Sequence, residues 1–402
     1  MAAETRAASP RRGTRPANRR ELILSASRDL LVSRGYDHIG VGDIADAVAI
    51  GPSALYRHFH GKQQILSEVL RREFVLVTKR MDEDERRVAA GDVDLAVRVL
   101  ARFAIDFRGL GVLVQREARH LPEPDRDEVR DGVRTLGIGV GRVIGRARPD
   151  LSPQTTDLLA WTIVGILGSP SFHQIEVPRP SLERVLRDQV RTVLESPLPA
   201  SLGEASPPAE KRTPIRPRSR REHLLAEAVR LFADRGYANV AVEDVGSAAG
   251  IAGPSVYNHF PSKLDLLVIP MMRGTGALMM ELAHAFDFGD GPRDVLRRLI
   301  RSYVAFAADQ HQLLDLIISE VRQLPDDVRT DVRRAQREYL QEWAALLQQL
   351  EPTVGTNVAR IRVQAAVSLV NDIVRTPHLR ALPGITAQLE SFCTRLLLPQ
   401  TQ

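Results

Sequence analysis

Apolar residues recur at helical spacing along most of the chain. Leu22, Ile23, Ala26, Leu30 and Leu31 line one face, and Gly35 ends the helix they define. Val41, Ile44, Ala45 and Val48 mark a short second helix, and Ser53 to Phe59 a third. Leu224, Leu225, Ala228, Leu231 and Phe232 repeat the first stripe far downstream. Beyond each triplet the pattern turns into longer amphipathic helices, broken at Pro122, Pro149, Pro325 and Pro352, because proline lacks the amide a helix interior needs. The expected fold class is all-α. Gly137, Gly141 and Gly145 fall every fourth residue. They fit a close helix–helix crossing or the wall of a ligand cavity. They do not fit a dinucleotide loop, since no strand precedes them.

The pattern is duplicated. Residues 20–66 align without a gap to 221–267, with sixteen identities in 47 positions. Among the pairs are Gly35/Gly236, Tyr36/Tyr237, Asp43/Asp244, Tyr56/Tyr257, His58/His259, Phe59/Phe260 and Lys62/Lys263. Glu117-Ala118-Arg119-His120-Leu121-Pro122 recurs as Glu320-Val321-Arg322-Gln323-Leu324-Pro325, so the repeat covers a whole subunit-sized domain. The organisation reads as a basic arm over 1–18, a first three-helix unit over 19–66 and a helical domain over 67–195. A Pro-rich basic linker over 196–219 follows, then a second three-helix unit over 220–267 and a second helical domain over 268–402. Each three-helix unit is preceded by arginines: Arg15, Arg19 and Arg20 in the first copy, Arg216, Arg218 and Arg220 in the second. Such runs suit minor-groove or phosphate contact, and equally a solubilising tail.

Two short helices joined by a tight turn, behind a longer one, match a helix-turn-helix. On the third helix Leu55 and Phe59 share the core face, which leaves Tyr56 and Arg57 facing outward. Tyr56, His58 and Lys62 each carry a group that meets a phosphate oxygen; such contacts fix register without reading sequence. Gly51, Pro52, Ser53 and Ala54 are small and let the helix start approach base edges, and Arg57 suits guanine. In the second copy the same places hold Gly253, Pro254, Ser255, Tyr257, Asn258, His259 and Lys263. Ala49 stands where the second copy has Gly250 in the turn, a position where a Cβ is penalised. Gly61 replaces Ser262 at a helix cap, and Gly40 and Ala241 precede the second helix. His58 and His60 point apart on a helix, so no metal site is expected there.

The Gly-Tyr after helix one, the Asp-Ile or Asp-Val of helix two and the Tyr-x-His-Phe-x-x-Lys that follows resemble the TetR family of bacterial regulators, and both copies carry them. The resemblance implies phosphate contact by the Tyr and Lys, and a major-groove position for the start of helix three. It implies a helical ligand-binding and dimerisation-like domain behind each reader, here packed as an intrachain pseudo-dimer. It also implies repression relieved by a small-molecule effector. Met271, Met272, Met279, Met280, Phe286 and Phe288 are the candidate lining.

Composition narrows the rest. Aromatics are only 5% of the 402 residues, which favours helices over β-sandwiches. The formal charge of +5 is small for the length, so the placement of the arginines matters more than their surplus. The one cysteine, Cys393, excludes an intrachain disulfide and a cysteine metal cluster. The first twenty residues lack an apolar signal core, and the apolar run Leu158 to Leu167 is about half the roughly 20 residues a membrane span needs. The expected partners are double-stranded operator DNA and a small apolar effector, with no membrane, metal or cofactor, in the bacterial cytoplasm on the nucleoid. A monomeric pseudo-dimer is expected, with a homodimer as the rival. A non-specific architectural DNA binder is the alternative function. An enzyme is disfavoured, because no nucleophile stands beside a base in a recognisable motif.

Overall fold

The computed structural model describes residues 19–173, 175–197 and 219–398. Arg15, Arg216 and Arg218 of the expected basic arms lie outside the described residues, whereas Arg19, Arg20 and Arg220 lie within them. All regular structure among the described residues is helical.

In chain order the first copy holds α1 (Arg19–Arg34), α2 (Val41–Ala47), α3 (Pro52–Tyr56), α4 (Lys62–Arg87), α5 (Val93–Asp106), α6 (Leu110–Val112), α7 (Glu123–Ala147), α8 (Pro153–Gly168) and α9 (Arg179–Leu194). The second holds α10 (Arg220–Arg235), α11 (Val242–Ala248), α12 (Gly253–Val256), α13 (Asp265–Phe288), α14 (Gly291–Asp309), α15 (His311–Ser319), α16 (Asp326–Leu350), α17 (Thr356–Arg375), α18 (Pro377–Arg380) and α19 (Ile385–Leu397). The proline breaks fall where expected: α7 and α16 begin just after Pro122 and Pro325 and end before Pro149 and Pro352. The third helix is shorter than the Ser53–Phe59 expected. Beyond Tyr56 the chain tightens, with both the His58 and the Phe59 N–H donating to the Leu55 carbonyl at 2.9 and 3.0 Å, as helix ends commonly do.

The chain divides into two compact units that do not follow the sequence halves. The first comprises residues up to Arg87 together with Phe107–Gly139. Its core gathers Ile23, Leu31, Ile44, Leu55, Phe59, Leu66 and Leu113. The glycines of α7 correct one expectation. A Cβ on Gly141 would make only ordinary contact, 3.7 Å from Ala160, and one on Gly145 would meet nothing within 4 Å. The close approaches on this helix are instead at Gly132, 2.6 Å from the Phe74 ring, and Gly139, 3.0 Å from Met81. Those two are seven residues apart, the spacing of one helix face.

The second unit comprises Val88–Asp106 and Val140 onward. Its reader core is built from Leu224, Leu231, Phe232, Val245, Val256, Phe260 and Leu267. Behind it α13 packs on α14, α15 and α16. The same unit holds a bundle of α8 and α9 from the first copy with α17 and α19 from the second. These are repeat counterparts: α8 corresponds to α17 and α9 to α19. The contact is therefore the isologous kind that two identical subunits make across a two-fold axis. At the α8–α17 crossing, a Cβ on Gly165 would stand 2.7 Å from the Leu369 Cα. The backbones meet that closely only because Gly165 has no side chain. Gln189 donates to the Arg362 carbonyl at 3.4 Å, and His378 pairs with Asp157 at 2.9 Å. The pseudo-dimer expected from the repeat is thus present as one intrachain bundle.

Candidate nucleic-acid interface

Each reader is positioned by the same local devices. The N–H of Gly40 donates to the Asp43 carboxylate at 2.6 Å, and that of Ala241 to Asp244 at 2.8 Å, so an aspartate three residues inside closes the start of α2 and α11. The turn to the recognition helix needs a left-handed residue. Ala49 adopts it at φ 54° and Gly250 at φ 72°. Among the described residues Ala49 is the one non-glycine with positive φ, so the first copy carries the Cβ penalty that its sequence foretold. The cap before α4 and α13 differs too: Ser262 and Asp265 bond each other reciprocally, and Gly61 has no side chain with which to do so.

Leu55 and Phe59 are buried, as are Val256 and Phe260. Tyr56 and Tyr257 are 54% and 51% exposed, which excludes a core role for either ring. Arg57 and Asn258 are exposed beside them, and His58 and His259 are half-buried. Gly51, Pro52, Ser53 and Pro254 are exposed, and Ala54, Gly253 and Ser255 half-buried. Gly253 is small for a packing reason: a Cβ there would stand 2.8 Å from the Glu243 side chain and 3.2 Å from its Cα. Arg20 is not a free arm. Its guanidinium donates to the His58 carbonyl at 3.0 Å and lies 4.7 Å from the Phe59 ring centre, and Arg221 lies over Phe260 at the same distance.

The two lysines have a structural engagement that sequence reasoning missed. Lys62 Nζ donates to the carbonyls of Tyr36 at 2.7 Å and Ile39 at 3.0 Å, and sits 3.9 Å from the Tyr36 ring centre. Lys263 Nζ donates to the Tyr237 carbonyl at 2.6 Å, 4.3 Å from that ring. Burial pulls the Lys263 ammonium below its ordinary pKa, against the opposing charges of Glu320 and Asp244. The N–H of the same two tyrosines explains the repeated Glu-x-Arg-x-Leu-Pro segment. Glu117 accepts the Tyr36 N–H at 2.8 Å, and Glu320 accepts the Tyr237 N–H at 3.3 Å. Both carboxylates are buried, at 0% and 4% exposure. Each reader's Gly-Tyr corner is therefore gripped from below by one glutamate and one lysine. The signal was in the sequence: two blocks far apart, repeated together.

The bacterial regulatory protein family model, tetR family, matches residues 23–69 and again 224–268, and a tetracyclin repressor-like C-terminal domain model matches 289–375. The HTH-type transcriptional repressor KstR2 of Mycolicibacterium smegmatis is 31% identical over 166 residues, covering 40% of this chain and 78% of that protein. The chain belongs to the TetR family. It is a helix-turn-helix, DNA-binding transcriptional regulator. The repressor DhaR of Mycobacterium sp. (strain GP1) is 26% identical over 202 residues, which is 48% of this TetR-family chain and 96% of DhaR. One whole relative thus fits in half of this regulator. The activator FasR of Mycolicibacterium smegmatis is 32% identical over 98 residues, 24% of this chain and 45% of FasR.

The effector lining read from α13 is corrected by burial. Met271 is core, but Met272, Met280, Phe286 and Phe288 are 42%, 74%, 43% and 62% exposed. The helix buries Leu266, Leu267, Met271, Gly274, Leu282 and Ala285, and these four lie off that face. By length and composition α13 is apolar enough to cross a membrane, yet a third of its most apolar window packs inside the fold. A buried cluster of polar aromatic groups lies elsewhere, on α14 and α16, where Tyr303, Tyr339 and Trp343 pack together.

Proposed function

We propose that this regulator represses transcription as a single-chain pseudo-dimer on operator DNA, and that a small apolar effector held among its C-terminal helices lifts it off. What carries the reading is one repeated observation: Tyr56 and Tyr257 stand more than half exposed at the same place on both readers. In this reading they meet phosphates together with His58 and His259. Lys62 has spent two of its three N–H donors on carbonyls and offers the third. Gly51 to Ala54 and Gly253 to Ser255 approach the base edges, with Arg57 preferring guanine and Asn258 adenine. Arg15, Arg19, Arg216, Arg218 and Arg220 add backbone or minor-groove contacts, while Arg20 braces the recognition helix. The readers span 19–66 and 220–267, the helical regulatory domains 67–195 and 268–402, and 196–219 links them. The bundle of α8, α9, α17 and α19 supports one chain per operator, acting on nucleoid DNA in the cytoplasm. The repressor names of KstR2 and DhaR support the sign of regulation.

Footprinting the purified chain on DNA flanking its own gene tests this directly. A discrete protected site is expected, bound orders of magnitude more tightly than random DNA at physiological salt and released by one class of apolar metabolite. Uniform coating of all DNA would instead establish an architectural binder.

A further inference from the structure

The regulatory helices of the second copy enclose a polar aromatic cluster. Tyr303 on α14 meets Trp343 on α16 edge-on, ring centres 6.0 Å apart at 85°, and Tyr339 lies 5.8 Å from the same indole. The Tyr303 hydroxyl donates to Asn371 Oδ1 on α17 at 2.6 Å. Tyr339 and Trp343 are 4% and 1% exposed, and among the described residues neither the phenol hydroxyl nor the indole N–H has a partner at good hydrogen-bonding geometry. Trp343 and Ser302 are turned toward that hydroxyl. A buried polar group left unmade costs about 1–3 kcal/mol. Native proteins rarely keep one without a use.

The first copy shows that the fold does not need these groups. From Val88/Gly291 to Leu194/Leu397 the copies run at a constant offset without a gap, through Arg98/Arg301, Phe103/Phe306, Asp106/Asp309, Val129/Val332 and Pro149/Pro352. At this offset Tyr303, Tyr339, Trp343 and Asn371 correspond to Leu100, Leu136, Val140 and Gly168. Leu100, Leu136 and Val140 are themselves buried. The same helix positions hold no polar side-chain atom in the first copy, whereas the second has three buried polar aromatic side chains and the half-buried Asn371.

We propose that sensing is one-sided. The second copy alone binds the effector, one molecule per chain, and the ligand is a neutral apolar molecule whose carbonyl oxygen accepts from the Trp343 indole N–H and the Tyr339 hydroxyl. The indole donates and cannot accept, which requires an acceptor on the ligand. The charged side chain acting on Tyr339 is the carboxylate of Glu281, which disfavours an anion. The first copy supplies a reader and half of the bundle but no binding site. This rests on the reading of the chain as a ligand-released regulator.

The chain has two tryptophans, so Trp161→Phe leaves Trp343 as the sole indole. Full-length Trp161→Phe protein is titrated with a panel of neutral cyclic and aromatic ketones, against hydrocarbons of matched shape, by indole fluorescence and calorimetry. A saturable change with a stoichiometry of one per chain is expected for at least one ketone, and none for its hydrocarbon. Tyr339→Phe, read by fluorescence, and Trp343→Phe, read by calorimetry, should each weaken binding tenfold or more. The melting temperature of Tyr339→Phe, which removes only a hydroxyl, should stay at or above that of the parent, whereas a purely structural hydrogen-bonding role would lower it; Trp343→Phe also leaves a cavity and is read by binding alone. Two molecules per chain, unchanged affinity in both Phe variants, or no ketone binding overturns one-sided sensing. Release of DNA is followed in parallel with a broad metabolite panel. Release by a compound that ignores both Phe substitutions overturns this inference and leaves the proposed function standing; release by nothing overturns the proposed function itself.

Discussion

Ala49 and Gly250 occupy one turn position in two copies, and the difference is a single Cβ held at positive φ. A left-handed non-glycine costs roughly 1–2 kcal/mol. Ala49→Gly should therefore stabilise the first reader by about 1 kcal/mol, with part of the gain offset by the added freedom of the unfolded chain. Gly250→Ala should cost a similar amount, since a Cβ there meets nothing within 4 Å and strain is the whole effect. Chemical denaturation measures both, and a destabilised Ala49→Gly protein would contradict the strain. Tyr257→Phe keeps the ring and removes the hydroxyl, so it should weaken DNA binding on every sequence alike. A loss confined to particular base substitutions, seen in a binding series over operator variants, would make Tyr257 a base reader instead. The outward tyrosines and the strained alanine were legible in the sequence, because spacing on a short helix and the chemistry of one turn decide them. The engagement of Lys62 was not. A lysine at a helix start looks the same whether its ammonium faces solvent or a carbonyl 26 residues back.

Glu117 and Glu320 reach their readers from more than 80 residues along the chain. Each sends one carboxylate from behind its reader to the N–H of the corner tyrosine. Glu320→Ala would leave that N–H without its acceptor and remove the opposing charge that sustains the Lys263 ammonium. A loss of about 1–3 kcal/mol is expected, with the thermal transition falling accordingly and Glu320→Gln recovering part of it. Identical melting of the Ala and parent proteins would mean the corner holds without its glutamate. Helix existence and order followed from period and proline, and they match. What periodicity does not tell is which side of α13 meets the fold. That helix is apolar nearly all round, so exposed Met280 and buried Met271 carry the same label in the sequence and are told apart only by the helices packed beside them.

At the scale of the molecule, the two readers are unequal. Arg57 faces solvent where the second copy has Asn258, and Pro52 stands against Gly253. Arg favours guanine and Asn adenine, so the tightest operator should be asymmetric, with one chain per site. Native mass measurement of the complex, with each half-site symmetrised in turn, checks this. Two chains on the minimal operator, or strongest binding to a perfect palindrome, would reverse it. The crossing of α8 and α17 is the place to break the pairing. Gly165→Val would drive a side chain into the Leu369 backbone, at a cost of about 1–3 kcal/mol or more. It should loosen the bundle and lower operator affinity while leaving the binding of isolated half-sites alone.

Because α8 and α9 share a chain with α17 and α19, the readers are never more than a tether apart. A regulator assembled from separate subunits falls apart on dilution and loses its operator with them. A tethered pair keeps its effective concentration however few molecules a cell contains. If one chain fills one operator, occupancy should rise with the first power of copy number rather than the second, and a daughter cell that inherits a single molecule would inherit both readers.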